Sequence, residues 1–170
     1  MNFEKKFEVF WQIFHDNGGY TVVLEGLRNT LIIAVLGLVI GIIIGTLIAT
    51  ARVVPKTNPL VKILDWIARL YVSFFRGTPI VVQLLLFYYV LMPLLSINLK
   101  SVPVAVVVFG LNSGAYISEI MRAGILSVDS GQMEGGRSVG VSFGTTMIKI
   151  IIPQAVKNIL PTLSNEFISL

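Results

Sequence analysis

Gln132-Met133-Glu134-Gly135-Gly136-Arg137-Ser138-Val139-Gly140, then nine residues, then Ile150-Ile151-Ile152-Pro153: the chain is organised around this stretch. Its spacing describes a helix-turn-helix candidate. Gly140 can supply the backbone freedom that a tight turn between two helices needs, and Pro153 can help set the start of the next helix. Glycine in a helix interior costs about 0.8–1 kcal/mol relative to alanine, so Gly135 and Gly136 together lose roughly 1.6–2 kcal/mol of local helix stability. The expectation is a helix that is weak by itself.

Composition sets the surroundings. Of 170 residues, 55% are hydrophobic and 13% charged, and the mean hydropathy is +0.84. A soluble domain needs more charge to cover its surface, so the class is a helical membrane protein. Cysteine is absent, which excludes disulfides, thiolate chemistry and cysteine-bound metals. The single histidine, His15, makes a metal site or triad improbable and reads as a polar residue on an exposed helix face. No metal, cofactor or nucleic-acid partner is expected. The sequence contains no Gly-x-x-x-x-Gly-Lys-[Ser/Thr] phosphate loop and no nucleophile–base pair, so the chain is not expected to be an enzyme or to hydrolyse ATP itself.

Residues 1–19 read as an amphipathic interfacial helix and a turn. Phe3, Phe7, Phe10, Trp11 and Phe14 recur at helical spacing opposite Glu4, Lys5, Lys6, Glu8 and Gln12, and Asn17-Gly18-Gly19 ends the helix. The aromatic stripe can lie in the membrane interface or pack on a neighbouring subunit. Residues 31–51 are uncharged and reach roughly the 30 Å of the hydrocarbon layer. Within them Gly37, Gly41, Gly45 and Ala49 make one nearly bare face, which suits close approach of another helix.

Residues 52–76 carry Arg52, Lys56, Lys62, Arg69 and Arg76 against one acid, Asp65. That excess places the segment in the cytoplasm and the N-terminus outside. Within it, Ile63, Leu64, Ile67, Leu70, Tyr71 and Phe74 form an apolar face opposite Lys62, Asp65, Arg69 and Ser73. A second span is expected at 77–99, broken or kinked at Pro79 and Pro93. Gln83 is the only amide in its apolar run, and serves either as glue between helices or as a substrate contact. A third span follows at 101–118, and Glu119 and Arg122 can pair at its cytoplasmic boundary. Three crossings bring residues 119–153 to the cytoplasm, with the opening stretch among them. A fourth helix is expected to begin near Pro161, carrying Asn165 and Glu166 in an apolar run.

The spacing from Glu134 to Pro153 resembles the cytoplasmic coupling loop of bacterial ABC importer permeases. That pattern is Glu-Ala-Ala, three residues, Gly, nine residues, Ile-x-Leu-Pro; Gly135 and Gly136 stand for the alanines and Ile152 for the leucine. Phe75-Arg76-Gly77-Thr78-Pro79-Ile80-Val81-Val82-Gln83 and Asn112-Ser113-Gly114-Ala115-Tyr116-Ile117-Ser118-Glu119-Ile120 resemble segments of polar amino-acid permeases, the glutamine permeases among them. The resemblance covers most of residues 26–170. It implies an all-α polytopic protein, a type I ABC importer permease core. Such permeases have five spans, so the expectation is a C-terminally truncated permease lacking the rest of the fourth span and the fifth. Residues 20–170 are then an incomplete permease domain with its coupling loop at 130–153.

The implied function is that of the transmembrane subunit of an ATP-driven importer for polar amino acids in the bacterial cytoplasmic membrane. The implied partners are a cytoplasmic ATP-binding subunit, a second permease subunit (the same or a related chain), an extracytoplasmic amino-acid-binding protein and the lipid bilayer. By the same resemblance, coupling falls to Gln132, Glu134, Gly135, Gly136, Gly140 and Pro153. It implies that Glu134 offers a carboxylate to donors on the ATP-binding subunit, and that the small residues beside it let the helix sit deep in a groove, ordered largely by that partner. Asn165 and Glu166, with Gln83 as a weaker candidate, are assigned to the substrate path: an intramembrane carboxylate suits an ammonium group, and amides suit a carboxylate. Glutamine-type sequences carry Asn-Gln in place of Asn165-Glu166, which hints at a different, cationic substrate. A passive channel or membrane scaffold is the rival from another class. It would account for the glycine face and the hydropathy but not for the coupling-loop spacing.

Overall fold

A computed structural model describes residues 3–16, 18–56 and 58–169, with Asp16 in its backbone only. Met1, Asn2, Asn17, Thr57 and Leu170 lie outside the described residues, and with them the Asn17 part of the expected helix break. The described residues are helical throughout, with no strand among them.

Helix α1, Phe3–Trp11, passes into a π turn over Gln12–Asp16. Its rings stack at helical spacing, Phe7 on Trp11, Phe10 on Phe14, and Trp11 on His15. Gly18 then takes a left-handed φ of +70°. A Cβ on Gly19 would come within 2.7 Å of the Ile13 carbonyl oxygen, so this corner accepts glycine at both places.

Helix α2, Gly19–Val53, is a single rod of 35 residues. Its buried residues are Gly37, Gly41, Gly45 and Ala49. They lie against α6, Ser101–Leu126, and the contact is intimate. A Cβ on Gly41 would sit 2.7 Å from Ser113 Oγ, and one on Gly45 would sit 2.7 Å from Ile117 Cγ2. Helix α6 answers with Gly110 beneath Ile40 and Gly114 beneath Ile44. The expected close approach along the glycine face is what the structure has, and in hydrocarbon its return is dispersion contact between ridges and bare backbone.

Helix α3, Pro59–Gly77, starts with Pro59 in its first turn and the Asn58 side chain accepting from Leu60 N at 2.9 Å. Here the structure reverses the natural reading of an amphipathic helix. The residues it buries are Asp65, Ala68, Val72 and Phe75. Leu60, Ile63, Leu64, Trp66, Ile67, Leu70 and Phe74 point outward. Asp65 can face inward because Lys56 (2.6 Å) and Arg69 neutralise it.

The chain bends by 107° at Thr78-Pro79. Beyond it α4, Ile80–Leu86, continues through a π turn over Phe87–Leu91 into α5, Met92–Leu94. The uncharged stretch 77–99 is therefore helical over 80–94 and joined to α3 as a bent pair. Helix α6 continues past residue 118 to Leu126.

After α7, Ser130–Ser138, comes α8, Phe143–Thr146, then a π turn over Met147–Ile151, and α9, Ile152–Ser169. These three run on without a gap, so neither Pro153 nor Pro161 starts a helix, contrary to expectation. Pro161 is inside α9. The π turns over Phe87–Leu91 and Met147–Ile151 share a physical cause. Each ends two residues before a proline, with Met92 N bonded to Phe87 O ahead of Pro93 and Ile152 N bonded to Met147 O ahead of Pro153. Widening the turn accommodates a residue that lacks its donor and crowds the carbonyl four back.

Helices α2 and α6 are each long and apolar enough to cross a membrane, and the bent α3–α5 pair is a third crossing if taken as one span. Helix α6 is the hub. Ile117 and Met121 pack with Ala49 of α2 and Ile159 of α9. At the other end Ile125 packs with Met147, Ile151 and Ala155.

Candidate functional site

The coupling stretch is a closed helical hairpin. Asp129 caps α7 by accepting from Gly131 N at 2.7 Å. At the other end Gly140 takes a φ of +82°. Val141 N bonds to Gly136 O and Gly140 N to Arg137 O, both at 3.1 Å. This is a glycine-terminated helix stop in which the left-handed residue has to be Gly140. Ser142 then caps α8 by accepting from Thr145 N at 3.2 Å.

Residues of α7 divide by direction. Met133 packs on the Ile125–Met147 cluster and Gly136 is buried, while Gln132, Glu134 and Gly135 are exposed. The two glycines differ: a Cβ on Gly135 meets nothing within 4 Å, whereas one on Gly136 would lie 2.6 Å from Thr146 Cγ2. Pro153, on α9, is removed from this outward face by the whole of α8 and the π turn.

A cavity of about 570 Å³ opens where α3 breaks into α4. Arg76 and Thr78 line it from the break, Asn112 and Tyr116 from α6, and Glu166 and Ser169 from α9. The Arg76 guanidinium lies 5.2 Å from the centre of the Tyr116 ring, within cation–π range. Glu166 is partly buried, and no direct ion pair joins it to Arg76 among the described residues. One cavity thus presents a cation and an anion close enough to feel each other's charge but not in direct contact.

Gln83 stands behind this cavity and does not line it. It is 1% exposed, and its Nε2 lies within bonding distance of Phe75 O (2.9 Å), Thr78 O (3.0 Å) and Thr78 Oγ1 (2.8 Å). Its Oε1 accepts from Asn112 Nδ2 at 3.1 Å. The carbonyls at the Pro79 break find donors here. Asn165, next to Glu166 on α9, is exposed and not among the cavity-lining residues. Glu119 accepts from Arg122 Nε at 3.0 Å, as its spacing predicts, and also from Arg52 of α2.

Arg76, Asn112 and Tyr116 carry no site role in the sequence reading. The signal for Arg76 was a guanidinium at the head of an uncharged run, directly before Gly77-Thr78-Pro79. For the other two it was a polar stripe at four- and three-residue steps, Asn112, Tyr116 and Glu119.

Residues 37–170 match the family described as binding-protein-dependent transport system inner membrane component. The chain is 43% identical over 148 residues to the arginine transport system permease protein of Bacillus subtilis, covering 87% of this chain and 65% of that protein. It is 41% identical over 151 residues to the L-cystine transport system permease protein of the same organism, covering 89% and 62%. A putative glutamine transport system permease protein of Rickettsia typhi is 38% identical over 152 residues, covering 87% and 66%. The chain thus spans about two thirds of the length of these relatives.

Among solved structures, a crystal structure of an amino acid ABC transporter with histidines superposes with a TM-score of 0.75 at 39% identity, over 91% of this chain and 70% of that one. The inward-facing MetNI methionine ABC transporter, at 20% identity and a TM-score of 0.62, shares the fold. The outward-facing carboxylate of the capped hairpin, the glycine-packed spans and the family match agree: this chain belongs to the binding-protein-dependent transport system inner membrane components.

Proposed function

We infer that the chain is the transmembrane subunit of an ATP-driven importer for polar amino acids. The observation that carries this is the cavity in which Arg76 and Glu166 face a common space without pairing. Arginine, cystine and glutamine, the solutes in the names of the relatives, share an α-carboxylate and an α-ammonium. A guanidinium and a carboxylate held apart suit those two groups. Glu166, with Asn165 beside it, favours a solute carrying positive charge; Gln83 contributes by holding the α3–α4 break in shape.

The energy comes from a separate cytoplasmic ATP-binding subunit, which docks on the exposed Gln132, Glu134 and Gly135 edge of α7. The hairpin closed at Gly140 and the continuous α8–α9 rod, with Pro153 in it, carry the displacement into α9. A second permease subunit completes the membrane unit, and an extracytoplasmic amino-acid-binding protein delivers the solute. The excess of basic residues after α2 supports an N-terminus outside.

Co-purification tests the assignment. The intact complex brings the ATP-binding subunit with this chain, and Glu134→Lys loses it while the chain stays in the membrane. Retention of the ATP-binding subunit by Glu134→Lys would contradict the docking edge.

A further inference from the structure

A second cavity, of about 490 Å³, lies between α6 and α9 toward the coupling hairpin. Glu119, Arg122, Ser127, Asn158 and Thr162 line it, and so does Arg76, which lines the first cavity as well. The two cavities belong to one seam. On α6, Asn112, Tyr116, Glu119, Ala123 and Ser127 fall on a single helical face; on α9, Asn158, Thr162, Glu166 and Ser169 do the same. The faces meet along their length. Asn158 Nδ2 donates to Ser127 Oγ at 3.0 Å at one end, and Glu166 shares the upper cavity with Asn112 and Tyr116 at the other. From residue 112 to 127 the seam runs about 22 Å at the helical rise.

The charges of the two cavities differ. The upper holds Arg76 and Glu166, which feel each other's charge with no direct ion pair between them among the described residues. In the lower, Glu119 is already bound by Arg122 and by Arg52 of α2, so it has little left for an incoming ammonium. What the lower cavity offers a carboxylate is the guanidinium N–H groups of Arg122 other than the Nε that bonds Glu119, with Arg76 shared between the two cavities, and neutral donors and acceptors on Asn158 and Thr162.

We propose that the lower cavity is a second station for the same solute, which passes its carboxylate from Arg76 to the N–H groups that Arg122 does not use on Glu119 while its ammonium end leaves Glu166. The solute reaches the lower station held at one end only, which favours its release toward the cytoplasm. The proposal rests on the reading of the chain as an amino-acid permease, and its test separates the two.

The test is equilibrium binding to the intact transporter complex in nanodiscs, with tritiated L-arginine, L-glutamine and L-cystine presented one at a time. The expected result is two moles bound per copy of this chain at saturation. Thr162→Phe, which obstructs the lower cavity, removes one mole and leaves the affinity of the other within about twofold. Thr162→Val, which keeps the shape and removes one hydrogen-bonding group, retains both moles and weakens one roughly fivefold. Two moles retained in Thr162→Phe overturn the second station. So does one mole in the parent complex that Thr162→Phe leaves alone and Glu166→Gln weakens, with the upper cavity then standing by itself. No binding of any of the three, with no variant altering that, overturns both readings.

Discussion

Thr146 occupies the place that a Cβ on Gly136 would take, its Cγ2 lying 2.6 Å and its Oγ1 2.8 Å from that position. Thr146 is fully buried and bonded to Ser142 O at 3.0 Å, and as a β-branched residue it has little freedom to turn aside. The second glycine of the pair is therefore the contact by which α7 lies on α8. Only the first is a plain loss of helix propensity.

The two alanine substitutions should consequently have opposite signs. Gly135→Ala meets open space and should stabilise α7 by about 0.8–1 kcal/mol. Gly136→Ala should destabilise the hairpin by about 1–3 kcal/mol through overpacking. Hydrogen exchange across residues 130–146 reads both, as slower exchange in the first variant and faster in the second. The same measurement with and without the ATP-binding subunit shows how much order in 132–139 the partner supplies; equal protection would assign it to Asp129, Gly140 and the Met133 contact alone.

Gln83 provides a second prediction. Its amide serves the carbonyls at the Pro79 break, so Gln83→Leu takes the side-chain donor from Thr78 O and leaves Phe75 O with Asn112 Nδ2 alone, at about 1–3 kcal/mol. Thermal unfolding of the purified complex should show the loss, and the order of preference among solutes should not change. A changed preference at unchanged stability would instead make Gln83 a substrate contact.

Asp65 should be costlier to alter than either of its partners. Its side chain is 3% exposed and serves two cations. Asp65→Asn removes two hydrogen-bonded ion pairs but leaves Lys56 and Arg69, 42% and 59% exposed, to solvent, and should cost about 1–3 kcal/mol. Lys56→Met or Arg69→Met alone leaves one ion pair in place and should cost less. Chemical unfolding of the three variants in detergent orders them.

Ser96 takes a φ of +57° at the stop of α5. Ile97 N bonds back to Met92 O at 2.9 Å and Ser96 N to Pro93 O at 3.0 Å, the same stop that Gly140 makes for α7. An L-residue pays about 1–2 kcal/mol for this conformation. Ser96→Gly should therefore raise the melting temperature, and Gly140→Ser should lower it.

The chain is a multi-pass inner-membrane component, and much of this was legible residue by residue. The uncharged run 31–51 and its glycine row gave α2 and the face it packs with, because in hydrocarbon a bare backbone stripe has one good use. Gly140 gave the hairpin turn. The direction of α3 was not legible, since in a bilayer an apolar face has no need to turn inward, and Asp65 is tolerated inside only because Lys56 reaches it from the preceding loop. Nor were the helix limits at the prolines. A π turn absorbs Pro93 and Pro153, and that adjustment has no mark in composition. Arg76 was read as one of five basic residues setting topology; its second use as a cavity wall depends on the 107° bend that brings it to Tyr116.

The most direct test of the importer reading is amino-acid uptake by the intact complex in proteoliposomes, with ATP hydrolysis followed alongside. Arg76→Gln removes the charged partner of the solute carboxylate, worth about 1.5–3 kcal/mol, so the apparent KM should rise roughly 10- to 100-fold. Glu166→Gln should shift preference from cationic toward neutral amino acids and reduce hydrolysis stimulated by the cationic ones. If both variants transport with the parent KM, preference and stimulation, the Arg76–Glu166 cavity is not the substrate site.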